Sequence, residues 1–134
     1  MRRRLAVCAC LGLGLLAFQD APGRAEMADA RGTASWYSVE ACKVNPDPVC
    51  PTASGKSLYE LETFGVQYAA MWNVPFGTRF KVTNLANKKT VLVEIWDRGP
   101  NKRLGRLIDL SKLAFSQIAD VKQGIINVKI ERVI

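Results

Sequence analysis

The chain has 134 residues, of which 49% are apolar and 23% charged, with a formal net charge of +7, which bounds it to one domain. It contains no histidine, so Ser-His-Asp and Cys-His catalysis are excluded and a zinc site of the usual ligand types has too few donors; no metal and no cofactor are expected. The cations are not interleaved with aromatics as in a nucleic-acid groove, so no nucleic acid partner is expected.

The first 25 residues read as a secretory signal peptide. Arg2-Arg3-Arg4 precede an apolar run from Leu5 to Phe18, which is shorter than the roughly 20 residues of a membrane span. Small residues follow, with cleavage points after Ala25 and after Ala30. The competing reading is an uncleaved anchor. Cys8 and Cys10 stand at the start of the apolar run and not after it, so they read as signal-peptide residues without a lipid. Residues 26–134 then form the domain, and removing 1–25 leaves 15 cations against 11 carboxylates, a net +4. A mildly basic exported protein suits a polyanionic wall, or is simply soluble. The expected location is the periplasm or cell envelope, or outside the cell, as a monomer with no membrane span after processing.

Within the domain, residues 26 to 31 are a polar lead-in. Gly32 to Ser38 is rich in strand formers and gives a first strand. Residues 39 to 57 form a loop in which Cys42 and Cys50 fit an oxidising compartment and are expected to be bridged. Closing that loop is worth about 2.5 kcal/mol by chain entropy. Leu58 to Glu62 is ambiguous. Phe64 to Trp72 reads as one or two helical turns, because Val66, Ala69 and Ala70 share a helical face. Pro75-Phe76-Gly77 is a turn.

Thr78 to Leu85 alternates, with Phe80 and Val82 on one face and Arg79, Lys81 and Thr83 on the other. Asn84 to Lys89 is the hairpin connection to an almost wholly apolar central strand from Thr90 to Trp96. After a loop, Lys112 to Ala119 is a short helix with Ser111 as its N-cap, Gly124 is a turn, and Ile125 to Val133 alternates as the last strand. Five or six short strands with one or two small helices fit a small closed or nearly closed β-barrel.

The stretch that carries chemistry is Ile95 to Ser111. It places Asp97 and Asp109 at the two ends of a basic, Gly/Pro-rich loop. A strand ending at Asp-Arg-Gly-Pro brings Asp97 to a sheet edge, and a helix after Ser111 puts Asp109 just before a helix N-terminus. Two carboxylates held at element ends, with arginines between them, fit an acid/base site on a saccharide. The same residues also make good turn chemistry and capping chemistry.

Several of these segments, taken in order, resemble the rare lipoprotein A (RlpA) family. Gly32-Thr33-Ala34-Ser35-Trp36-Tyr37 is similar to its opening strand, and Thr52-Ala53-Ser54-Gly55 to its Thr-Ala-(Asn/Ser)-Gly turn. Pro75-Phe76-Gly77-Thr78, Val82-Thr83-Asn84-Leu85 and Asn87 resemble its first long hairpin, and Asp97-Arg98-Gly99-Pro100 with Ile108-Asp109-Leu110-Ser111 its signature loop. The resemblance implies a mainly β fold, a six-stranded double-psi β-barrel with one or two short helices. It also implies an endolytic lytic transglycosylase that cuts peptidoglycan glycan strands, preferring those without stem peptides. The same barrel occurs in expansins and in membrane-bound lytic transglycosylase A.

Two departures stand out. The family pattern Thr-Ala-Ala-His, whose histidine is counted as catalytic, is matched by Tyr68-Ala69-Ala70-Met71, and Lys56 stands where a glutamate usually follows the Gly55 turn. Glu60, or Glu62 beside it, is a candidate to replace that glutamate.

The expected catalytic pair is Asp97 and Asp109. One acts as acid and then base, while the other holds the sugar or raises its partner's pKa. Tyr37 and Trp36 are candidates to stack on sugar rings, or belong to the core. Trp72 and Trp96 are expected in the core. Arg98 either reaches a muramyl carboxylate or pairs with Asp97. The alternatives to the enzyme are a non-catalytic expansin-like module that binds or loosens wall glycan, and a small secreted structural protein.

Overall fold

The computed structural model describes residues 29–43 and 47–134; the expected signal peptide and the earlier cleavage point, after Ala25, lie outside them. Six strands close into a barrel: β1 (Asp29–Tyr37), β2 (Tyr68–Ala70), β3 (Arg79–Asn84), β4 (Thr90–Asp97), β5 (Ile108–Ser111) and β6 (Ile126–Val133). Around the barrel their order is β1-β5-β2-β4-β3-β6. The pairs β1/β5 and β2/β4 are parallel, and the remaining pairs are antiparallel. The expected mainly β, six-stranded barrel is what the chain forms.

Alternation dictates the interior. Phe80 and Val82 of β3, Val91, Val93 and Ile95 of β4, Ile108 and Leu110 of β5, and Val128 and Ile130 of β6 all enter one apolar cluster. Every second residue of a strand shares a face, so one pattern fills the barrel and leaves the other face free. Helix α2 (Lys112–Ile118) adds Ala114, Phe115 and Ile118 to that cluster. Its N-cap is the expected one, with the Ala114 N–H donating to Ser111 Oγ at 3.2 Å. Asn84 is buried although polar, and its amide donates to the Ile118 carbonyl at 2.7 Å. Gly32 is needed where β1 meets the end of the basic loop, since a Cβ there would stand 2.8 Å from Leu107 Cβ.

Local readings change in three places. The helix between the disulfide loop and the barrel is α1 (Leu58–Thr63), earlier than the Phe64–Trp72 turns expected, and the later part of that segment is β2. Gly65, at φ +67°, ends α1. The Val66 N–H reaches the Leu61 carbonyl and the Gly65 N–H reaches the Glu62 carbonyl, a Schellman closure with Val66 and Leu61 in apolar contact. Past that stop, Tyr68-Ala69-Ala70 alternates between the outside and the core, which a helical reading of Ala69 and Ala70 hides. Ile108–Ser111 is likewise a strand, and it runs directly into α2, so Asp109 stands just before a helix N-terminus as expected. Asp97 does not reach a sheet edge, because a closed barrel has none.

Residues 38–43 and 47–67 pack against the outside of the barrel through a second cluster of Cys50, Leu58, Leu61 and Tyr68, joined by Tyr37, Val39, Cys42, Val66 and Trp96. The Cys42–Cys50 disulfide, with Cα atoms 5.9 Å apart, lies in this cluster. Replacing Cys42 with alanine should lower the unfolding free energy by about 2.5 kcal/mol, read as a fall in the urea midpoint. An unchanged midpoint would mean the excursion is held by its apolar contacts alone.

Candidate active site

The strands β1, β5, β2 and β4 lie side by side. In their register Ser35 faces Asp109, Ala70 faces Asp109, and Ala70 also faces Asp97. The two aspartates therefore flank one alanine, with Cα atoms about 10 Å apart at the usual strand spacing. Ile108 and Leu110 point into the core, so Asp109 between them points outward. Alternation along β4 would send Asp97 inward after Val91, Val93 and Ile95. The ladder prevents this: Ala69 pairs with Ile95 but Ala70 with Asp97, skipping Trp96. That bulge re-aims Asp97 to the face that carries Asp109. Ala70 between them is buried, and Gly99 packs over it, where an added Cβ would be 3.4 Å from Ala70 Cβ.

Asp97 is held by three donors. Tyr37 Oη donates to its Oδ2 at 3.0 Å, and the backbone N–H groups of Ala53 and Arg98 donate to Oδ1 at 2.8 Å each. Asp109 accepts from Ser35 Oγ at 3.0 Å. Its pKa is raised above the ordinary 3.8, first because burial withdraws water. The Ser35 hydrogen bond and the Arg106 charge oppose that rise, and the Asp97 charge adds to it. A neighbouring carboxylate was the expected cause, but burial comes first.

Tyr37 and Tyr68 stack edge to face with centroids 5.3 Å apart. Burial, ahead of the Asp97 charge and hydrogen bond, pushes the Tyr37 phenol well up. Burial, ahead of a Glu62 hydrogen bond, does the same for Tyr68. Both phenols stay protonated and act as fixed donors. Tyr68 Oη donates to Glu62 Oε1 at 2.7 Å, which also accepts the Val39 N–H at 3.2 Å. A cavity of about 480 Å³ opens beside Tyr68, lined also by Val39, Glu62 and Lys112. A larger one of about 1120 Å³, at Arg31, Asn84 and Asn127, is lined by neither aspartate.

The structure brings Asp97, Asp109 and Tyr37 together and places the other expected residues elsewhere. Trp36 lies on the opposite face of β1 from Tyr37, packs against the core, and donates its indole N–H to the Val121 carbonyl at 2.9 Å. Arg98 makes no ion pair with Asp97. Its guanidinium stacks 3.8 Å over Phe76 and donates to the Met71 carbonyl at 3.2 Å. Glu60 is exposed on α1, and Glu62 is the glutamate tied to the site. Trp72 and Trp96 are half-buried outside the barrel interior, not in it. Met71 is 2% exposed and packs in the barrel cluster.

Sequence reading missed Ser35 and Tyr68, and offered Glu62 only beside Glu60. Ser35 was legible, because on a strand it shares a face with Tyr37, whereas the adjacent Trp36 and Tyr37 cannot share one. Among the described residues no group of three or more His, Cys, Asp or Glu is arranged to hold a metal ion, and no helix is long and apolar enough to cross a membrane.

Comparison with known proteins agrees with this architecture. A family model described as "Lytic transglycolase" matches residues 29–130. A Nostoc protein named "Probable endolytic peptidoglycan transglycosylase RlpA" is 43% identical over 83 residues, covering 60% of this chain and 20% of its own length. A Campylobacter jejuni protein named "Endolytic peptidoglycan transglycosylase RlpA" is 38% identical over 104 residues, covering 76% of this chain and 33% of its own length. The chain thus spans a third or less of the length of these two curated relatives. A crystal structure of a Clavibacter michiganensis expansin mutant in complex with cellohexaose shares the fold at a TM-score of 0.59 and 22% identity, covering 79% of this chain and 50% of that one.

Burial of Asp109 sets a pH dependence of stability. Its folded pKa lies above its unfolded value near 3.8, so the folded state binds more protons between the two. The stability it contributes is present below pH 3.8 and is lost as pH rises through the folded pKa. Asp109→Asn should therefore melt higher than the wild type at pH 7, and the gap should close on acidification toward the unfolded value. A gap independent of pH in thermal unfolding would show that Asp109 carries no burial penalty.

Proposed function

The chain belongs to the lytic transglycolase family of double-psi β-barrels, and on that premise we propose that it is an endolytic peptidoglycan lytic transglycosylase with Asp109 as its acid and base. The substrate of this reading is the glycan strand, preferably without stem peptides, cut between N-acetylmuramic acid and N-acetylglucosamine. The protein acts after export, in the periplasm or elsewhere in the envelope. The observation that carries the reading is a half-buried carboxyl of raised pKa, anchored by Ser35, beside a second carboxylate on one open face.

The reaction moves two protons and consumes no water. Protonated Asp109 gives its proton to the glycosidic oxygen, and the bond to C1 of the muramyl unit breaks. The C6 hydroxyl of that unit then attacks C1 and closes a 1,6-anhydro ring, returning its proton to Asp109. One carboxyl serves both steps because giving the first proton makes it the base for the second. The elevated pKa keeps the acid form populated closer to neutrality. Asp97, already filled by three donors, orients the sugar and places negative charge near the developing positive charge at C1.

One observation supports a second reading. Met71 stands where the family pattern has histidine, and methionine cannot move a proton. A barrel that binds wall glycan without cutting it explains that substitution directly.

The two readings separate on one assay. The purified protein is incubated with stem-peptide-free glycan strands, and 1,6-anhydromuramyl ends are sought by mass spectrometry. The expected result is anhydro ends whose formation falls by about 10²–10⁴-fold in Asp109→Asn and is also lost in Asp97→Asn, with both variants folded. Strands retained by the protein without anhydro ends would establish the binding module. Neither cutting nor retention would leave a structural protein, and full activity in both variants would remove the aspartates from the mechanism.

A further inference from the structure

Four partly exposed aromatic rings each hold a cation over one face. Lys56 Nζ lies 4.6 Å from the centroid of Trp96, the Arg98 guanidinium 3.8 Å from Phe76, Lys102 Nζ 4.8 Å from Trp72, and Lys112 Nζ 5.3 Å from Trp36. The first three are not scattered.

Trp96 immediately precedes Asp97, and the turn that carries Lys56 is tied to both: the Ser54 N–H donates to the Trp96 carbonyl and the Ala53 N–H to Asp97. The Trp96 indole lies against Gly77, where an added Cβ would be 3.4 Å from the ring. Phe76, the preceding residue, is covered by Arg98, which also donates to the Met71 carbonyl at 3.2 Å. Trp72 follows Met71, donates its indole N–H to the Pro100 carbonyl at 2.7 Å, and is covered by Lys102. Contacts therefore string Lys56, Trp96, Phe76, Arg98, Trp72 and Lys102 into one band that passes Asp97.

Cations outnumber carboxylates along the band, whose carboxylates are Asp97, held by three donors, and Glu94. From Arg98 to Ile108 the chain carries Arg98, Lys102, Arg103 and Arg106 and no carboxylate. Glu94 touches the band at one end, accepting the Trp96 indole N–H at 3.1 Å. None of Lys56, Arg98 and Lys102 makes a salt bridge among the described residues.

This composition discriminates between glycans. A bare ring is a platform for the C–H face of any sugar, but a ring whose face holds a cation is occupied. A neutral glycan must displace the ammonium or meet it with hydroxyl acceptors alone, without an opposite charge. A glycan bearing carboxylates meets each cation with an anion while the aliphatic stem of the lysine stays on the ring.

We propose that Lys56, Arg98 and Lys102 form a specificity element for acidic glycans, binding sugar-borne carboxylates so that the barrel selects strands whose muramyl units present a free lactyl carboxylate. The identity of that carboxylate rests on the proposed function, whereas charge selection is measurable by binding alone.

The test uses stem-peptide-free glycan strands in two forms, native and with the lactyl carboxylates converted to methylamides, with cellohexaose as a neutral probe. Binding is measured by calorimetry at low and at raised salt, and anhydro ends are counted in parallel. The expected result is roughly tenfold or greater weakening on amidation, with loss of the salt dependence that exposed charges confer, and weak binding of cellohexaose. Lys56→Met and Lys102→Met keep the stem on the ring and remove the charge. Each should weaken binding of the native strand by about two- to fivefold, raise KM, and shrink the difference between the two strand forms. Melting curves establish that both variants are folded.

Equal binding of native and amidated strands, or unchanged affinity in both lysine variants, overturns the proposal. Charge-selective binding without anhydro ends sustains it while overturning the lytic reading. Anhydro ends formed at equal rates from both strand forms sustain the lytic reading and overturn this one. No binding to any strand overturns both.

Discussion

One break in a hydrogen-bonded ladder organises this molecule. Between Ala69 and Ala70 the pairing of β2 with β4 slips by a residue, so that Ala70 faces Asp97 where strict alternation would have faced it to Trp96. Without the slip, Asp97 would follow Val91, Val93 and Ile95 into an apolar interior, where an ionised carboxylate is costly. With it, Asp97 joins Asp109 on the outer face. Trp96, set aside by the bulge, is left half-buried beneath Lys56. A packed barrel and a half-buried carboxylate pair on its outer face thus come from the same strands, because the faces are separated by alternation and exchanged at the bulge.

The second constraint is the covering of that outer face. Tyr37 reaches from β1 across the intervening strands to Asp97, and it is steadied by Tyr68, which Glu62 holds from α1. Helix α1 is in turn fixed by Leu58 and Leu61 against buried Cys50, the inner half of the disulfide. The excursion between β1 and β2 therefore does more than close a surface. It partly dries the ground around the aspartates, and removal of water is the leading reason that the Asp109 pKa rises. Stability is spent there for chemistry, as is common at sites whose groups are buried against their preference.

The barrel was legible in the sequence because its long strands are self-reporting. Phe80-Lys81-Val82 and Ile126-Asn127-Val128 announce their inward face by alternation alone. The two shortest strands were not legible. Tyr68–Ala70 and Ile108–Ser111 have three and four residues, too few for a period of two to be told from helical spacing. Asp97 and Asp109 were singled out as a pair, and both flank Ala70, but their separation by the basic loop says nothing about the strand register that places them there. What sequence could not supply is the bulge. No residue type signals it, and it follows from closing the ladder around Ala70. The pairing of Trp36 with Tyr37 as neighbours in one site failed for the opposite reason, because strand geometry already forbids it.

The methionine at position 71 bears on how much chemistry two aspartates must do. Along β2 and just beyond it, Ala69 and Met71 enter the barrel cluster, while Ala70 lies on the face of the aspartates. A histidine at this position would stand among Ile, Val and Phe side chains, where its charged form is disfavoured. Methionine instead fills that space as an adaptable apolar group. The substitution therefore improves the core without taking a hydrogen bond from Asp97 or Asp109, whose partners are Tyr37, Ala53, Arg98 and Ser35. In the proposed mechanism proton transfer is then confined to the outer face, where the carboxyl raised by burial is Asp109. A mechanism in which one group first gives and then takes a proton needs no second base, which is why the loss of an imidazole is compatible with a working site on this barrel.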